Sequence, residues 1–173
     1  MIFRKAEERD IPAAARIYEL VHEAEERGEL TIGWAKGVYP IERDARAALA
    51  RGDFFVAEAE GEIVATAIIN RIQVDVYEGA PWEHPAKDEE VMVLHTLSVS
   101  PEHGRRGIGS AFVKFYEDYA KENGSPYLRM DTNERNLTAR AMYKKLGYKE
   151  IAIVPCVFNS IAGVNLVLLE KRL

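Results

Sequence analysis

A single cysteine, Cys156, stands among 173 residues. An internal disulfide is therefore excluded, as is a metal site built on several thiolates. Histidine is scarce too: there are four, His22, His84, His95 and His103, and none pair at helical ligand spacing, so no metal is expected. No apolar run approaches the ~20 residues of a membrane span, and no membrane association is expected. The opening segment MIFRKAEERDI is charged almost from its start and has no signal-peptide core. With the lone cysteine, this predicts a cytoplasmic protein. A basic excess is also missing. The net charge of −5 speaks against a general nucleic-acid partner. The acidic balance is open to two readings, attraction of cationic substrates or simple solubility. Internal repeats, low-complexity tracts and linkers are absent, which predicts one domain over residues 1–173.

What is present is a mixed α/β pattern. Residues 2–6 read as a strand. Asp10 is placed to cap a helix whose apolar face holds Ile11, Ala14, Ala15, Tyr18 and Val21. Ile41, Ala45, Ala48 and Leu49 stripe a second helix, with Gly52 after it. Residues 54–59 and 62–72 form a hairpin around Glu60-Gly61, and residues 75–90 read as a long exposed loop. Then come a strand over 91–99, an amphipathic helix over 107–122, a strand over 127–132, a helix over 137–146, and strands near 148–154 and 164–171.

The most informative segment is LSVSPEHGRRGIGS, residues 97–110. A buried strand enters a turn rich in Gly and Arg, and the turn opens into a helix. The first N–H groups of a helix lack intrahelical partners and carry partial positive charge, which suits a diphosphate. Gly107 and Gly109 let a backbone approach a ligand closely, and Arg105 and Arg106 can add charge-assisted bonds. A Walker loop is excluded because no Gly-Lys-Ser/Thr occurs. A dinucleotide fold would place its glycines after an early strand, whereas these come late. A glycine-rich helix start with solvated arginines is the plainer alternative.

This segment resembles the diphosphate loop of the GNAT family of N-acetyltransferases, Gln/Arg-x-x-Gly-x-Gly/Ala between a strand and a helix. The frame here is Gly104-Arg105-Arg106-Gly107-Ile108-Gly109, which departs at its first position, with Ser110 following. A second stretch, NERNLTARAMYKKLGYKE over 133–150, is similar to the family's Asn-initiated helix that carries a Tyr and ends at Gly-Phe/Tyr. Asn136, Ala139, Tyr143, Gly147 and Tyr148 fit that frame. The resemblance implies a fold of the α/β (α+β) class, a mostly antiparallel mixed sheet of about seven strands flanked by about four helices. It implies acetyl-CoA as cosubstrate and an amine acceptor, either a small molecule or a peptide. Family members often dimerise, but nothing in the sequence fixes an interface for a homodimer.

The resemblance also assigns tasks. Tyr143 would protonate the departing thiolate, although its spacing with Ala139, Met142 and Leu146 equally suits a core aromatic. Backbone N–H groups of Leu97, Ser98 and Val99 would polarise the carbonyl, and Asn136 would sit beside the cofactor. His95 is the leading candidate for the base. It resembles a histidine of the arylalkylamine branch, whose second histidine is here Val93; a hydrogen-bonded interior histidine is the alternative. Glu89 and Glu90 are further candidates, or a solvated charge run. Cys156 has no Cys-His arrangement to make it a nucleophile. The acceptor region is expected in 22–40 and 75–90. There Glu23, Glu25, Glu26, Glu29, Asp75, Glu78, Glu83, Asp88, Glu89 and Glu90 accompany Trp34, Tyr39, Tyr77 and Trp82. Such a mixture suits a cation. A non-catalytic CoA sensor and an interaction module remain as other functions.

Overall fold

The computed structural model describes residues 1–104 and 106–173. The chain order is β1 (Ile2–Lys5), α1 (Ile11–Glu26), α2 (Glu42–Arg51), β2 (Phe54–Ala59), β3 (Glu62–Asn70), β4 (Val91–Val99), α3 (Ile108–Glu122), β5 (Tyr127–Asn133), α4 (Leu137–Lys145), β6 (Lys149–Phe158) and β7 (Ile161–Arg172). The strands form one sheet in the order β1-β2-β3-β4-β5-β7-β6. All pairings are antiparallel except β4 with β5. The expected seven-stranded mixed sheet and four helices are therefore present. Among the described residues, no helix is long and apolar enough to cross a membrane.

Strand alternation decides which helix covers which face. Met92 and Leu94 of β4, Leu128 and Met130 of β5, and Val167 and Leu169 of β7 point one way. They meet Ile108, Phe112 and Tyr116 of α3 and Tyr143 of α4. On the opposite face, Phe54, Val56 and Ile68 pack against Ile11, Ala14 and Tyr18 of α1 and Ala45 and Ala48 of α2. The second half of that face has no helix. Residues 74–86 cover it instead, with Tyr77 and Trp82 over Val91, Val93, Val164, Leu166 and Leu168.

The long loop is therefore only partly exposed, a correction to its composition-based reading: its aromatics are core residues of a sheet face left bare. An acid of β7 pins the loop in place. Glu170 accepts from the N–H groups of Glu83 (3.0 Å) and His84 (3.2 Å) and pairs with Arg129 at 3.4 Å. The Arg129 guanidinium stacks 4.1 Å from the Trp82 ring centroid. Glu83, His84 and Glu170 thus converge as a clasp holding the loop to β5 and β7.

Asp10 also departs from expectation. Its carboxylate makes no cap bond to α1; it accepts from the Glu7 N–H at 2.8 Å and from Arg4 at 2.7 and 2.9 Å. The arginine holds that carboxyl below the usual range.

Candidate active site

Two irregularities in β4 create the site. The first is a bulge. Thr66 faces Ser98, but Ile68 faces His95, so two steps of β3 span three of β4. The extra residue shifts the inward set from Met92 and Leu94 to Leu97 and Val99, both of which pack into the α3-side core. Thr96 absorbs the distortion with φ of 51°, a left-handed conformation that a β-branched residue rarely adopts.

The second is a parting of strands. The parallel ladder between β4 and β5 ends at Leu94↔Met130. Beyond it, Asp131–Asn133 pair only with β7, and residues 95–99 pair only with β3. Just before the parting, the Tyr116 hydroxyl of α3 donates to the Met92 carbonyl at 2.6 Å and lies 3.2 Å from that of Arg129.

A cavity of about 370 Å³ occupies the gap, lined by Leu97, Ser98, Val99, Gly109, Asn136 and Tyr143 among others. The structure thus brings together residues from both sequence motifs. At the start of α3, Gly107 is the N-cap with φ of 75°, and among the described residues no atom beyond its chain neighbours lies within 4 Å of where its Cβ would be. The backbone there is open to a ligand, and the first-turn N–H groups of Ile108, Gly109 and Ser110 have no intrahelical acceptor. The side chain of Ile108 belongs to the core, so only its main chain can serve the site. Gly109 has a different reason from the one its sequence suggests. A Cβ there would lie 3.2 Å from the Met142 sulfur and 3.8 Å from Val99, so the residue is small where α3 passes α4. Gly104 and Arg106 are exposed beside this turn; Arg105 lies outside the described residues.

Asn136 caps α4, its Oδ1 accepting from the Ala139 N–H at 3.1 Å. The Ser98 hydroxyl donates to the Thr96 carbonyl at 3.2 Å, across the bulge. Tyr143 is buried, and that burial, reinforced by the Asp131 charge, raises its phenol well above the ordinary value.

A second cavity, about 550 Å³, lies beside the first; Tyr39, Leu94, Thr96, Asp131, Phe158 and Leu166 line both. His95 faces only the second. Its Nε2 is 3.1 Å from the Asn70 Oδ1, and burial pushes the imidazole down to about 4. Glu90 does not reach either cavity. Its carboxylate accepts from the Lys87 N–H at 3.0 Å, at the other end of β4. At ~3.3 Å per strand residue, it sits roughly 20 Å from the bulge. Glu89 shares that end, where its carbonyl accepts from Arg71.

The residue that sequence reading missed is Asp131. It stands at the junction of the two cavities and accepts from the Tyr77 hydroxyl at 2.8 Å. Desolvation pushes its carboxyl up to about 6, against the lowering effect of the Tyr77 bond. Its one sequence signal was a carboxylate in an otherwise well-covered strand. Of the expected acceptor aromatics, Trp34 and Tyr39 do line the first cavity. Tyr39 stands edge-on between Trp34 (6.1 Å) and Phe158 (5.6 Å).

A strand parted from its neighbour, a glycine-bearing helix start and a tyrosine thus meet at one cavity. The Acetyltransferase (GNAT) family matches residues 14–148, and the chain belongs to that family. Human N-acetyltransferase 8B is 33% identical over 98 residues, covering 56% of this chain and 38% of the relative. An uncharacterized N-acetyltransferase of Methanocaldococcus jannaschii is 29% identical over 101 residues, 58% of this chain and 41% of its own length. The chain thus spans about two-fifths of the curated relatives it matches. Among solved structures, a GNAT-family acetyltransferase of Streptococcus agalactiae superposes with a TM-score of 0.80 at 23% identity, covering 99% of this chain and 95% of that one. A Salmonella typhimurium acetyltransferase, solved with its cofactor acetyl-CoA, gives 0.69 at 17% identity over 99% and 92%. These structural likenesses establish a shared fold.

Proposed function

We propose that this chain is an N-acetyltransferase that uses acetyl-CoA and acts on a primary amine by direct attack on the thioester. The parting of β4 from β5 beside the Gly107 helix start, with Tyr143 over the same cavity, carries this reading. The free edge of residues 95–99 can pair with the amides of a pantetheine arm, and the α3 start can hold the diphosphate. In the first cavity the thioester lies beneath Tyr143. The second cavity admits the acceptor.

The chemistry assigns three tasks. An alkylammonium of pKa ~10 must lose a proton before it attacks. Asp131 takes it: with its carboxyl near 6, the group is ionised at neutral pH, yet basic enough to receive a proton. His95 would remain neutral but, at about 4, is a weaker acceptor, so the base role passes from it to Asp131. Main-chain N–H groups of β4 past the bulge stabilise the carbonyl oxygen as it gains charge. Tyr143, held protonated by burial, donates a hydrogen bond to the sulfur as negative charge gathers and then delivers its proton to the departing thiolate.

The acceptor is cationic. Asp44, Asp75 and Asp131 line the second cavity, and the one arginine there among the described residues, Arg51, is already held by Asp53 at 2.9 Å. A small amine, a lysine or an N-terminal amine meets this requirement. Calorimetric titration with acetyl-CoA, then thiol release across an amine panel, tests the proposal. One site per chain and release with cationic amines support it; folded protein that fails to bind acetyl-CoA would sink it.

A further inference from the structure

We propose that Tyr77 is a positioning residue for acetyl transfer: its phenol fixes one oxygen of Asp131, aims the other at the junction of the two cavities, and keeps the carboxylate ionised. This rests on the assignment of Asp131 as proton acceptor.

The geometry is specific. Tyr77 lies under the 74–86 segment, packed edge-on against Trp82 (5.1 Å, 71°) and among Val91, Val93 and Leu166. Its ring is core material, and the hydroxyl meets one partner, Asp131 Oδ2 at 2.8 Å. Among the described residues, Asp131 has no ion pair and its other oxygen has no protein donor. A carboxylate in a poorly solvated wall without a counter-charge is an unfavourable arrangement. It becomes useful where an ammonium arrives, and the single phenolic bond sets its direction and counters the desolvation that favours its protonated form.

Four buried or half-buried groups beside Asp131 titrate away from the neutral range. His95 from β4 is pushed down to about 4. Tyr39 from the segment after α1 is pushed up to about 12. Tyr143 from α4 and Cys156 from β6 are both raised, by burial first and by the Asp131 charge second. Arg129, on the same strand, acts on Tyr77 from the Trp82 side and stays cationic.

A phenol donating to a carboxylate favours the ionised form. Tyr77→Phe keeps the ring packing and removes only that donor. The experiment is a pH titration of the Asp131 side-chain carboxyl by carbon-13 NMR in aspartate-labelled protein, with the signal assigned through Asp131→Asn. Loss of a hydrogen bond to a charged group should raise the titration midpoint by about one to two pH units. The acidic limb of kcat/KM, read with acetyl-CoA and n-butylamine or an Nα-acetyl-lysine ester, should move by the same amount, with the high-pH plateau retained. An unmoved carboxyl midpoint in folded Tyr77→Phe overturns the proposal and reduces Tyr77 to a staple. If the midpoint moves while Asp131→Asn keeps full activity, the coupling stands and the base assignment fails instead.

Discussion

The Tyr39 hydroxyl is hydrogen-bonded to the Thr96 hydroxyl, joining the segment after α1 to the one residue of β4 whose backbone turns left-handed. The bulge is thereby held from outside the sheet. Thr96→Val keeps the shape and the backbone strain but removes the partner, and should cost about 1 kcal/mol. Thr96→Gly should recover part of that loss, because glycine adopts a positive φ without a steric penalty. Urea midpoints of the three proteins give the ordering wild type, Gly, Val.

Tyr143→Phe removes the proton donor and preserves the packing against Tyr148, whose ring centroid is 6.0 Å away. We expect kcat to fall roughly 10²–10⁴-fold with acetyl-CoA affinity unchanged. Steady-state kinetics beside a calorimetric binding curve makes the distinction, and an unaltered kcat removes Tyr143 from the acid role.

Gly107→Glu places a carboxylate on an open left-handed backbone where the diphosphate should lie. Acetyl-CoA binding should disappear through charge repulsion. Gly107→Ala, which carries the backbone strain of ~1–2 kcal/mol but no charge, should bind measurably. Equal binding by the glutamate variant and wild type would put the phosphates elsewhere.

Asp131 also governs stability. Burial pushes its folded carboxyl up to about 6, above the ordinary aspartate value of 3.8, so between these pH values the native state holds a proton that the unfolded state lacks. Stability therefore falls as pH rises from about 4 to 6, by at most ~3 kcal/mol. Asp131→Asn should raise Tm at pH 7, and the gain should vanish near pH 4. A gain independent of pH would contradict the assigned titration.

Periodicity made the sheet and helices legible because each element's apolar face is written locally. The diphosphate turn was legible for the same reason: strand, glycines and helix are contiguous from Leu97 to Ser110. Glu90 misled because a charge run next to β4 is close in sequence, yet a nine-residue strand carries it to the far end. Asp131 was hidden because its importance depends on where β4 and β5 stop pairing, which no local pattern encodes. The same holds for Tyr77, which looks like a loop aromatic until the helix-free face of the sheet is seen beneath it.

Past Leu94, β4 has a hydrogen-bonded neighbour on one side only, although it lies in the middle of the sheet. In effect the protein keeps an edge strand inside its own body. A pantetheine arm laid there would complete the sheet as a short surrogate strand, so cofactor supply and fold integrity would share one free energy. At a hundred times Kd, that linkage adds about 2.7 kcal/mol. The melting temperature of the protein then becomes a gauge of the acetyl-CoA around it, and the amides of residues 95–99 are where hydrogen exchange would read the gauge most directly.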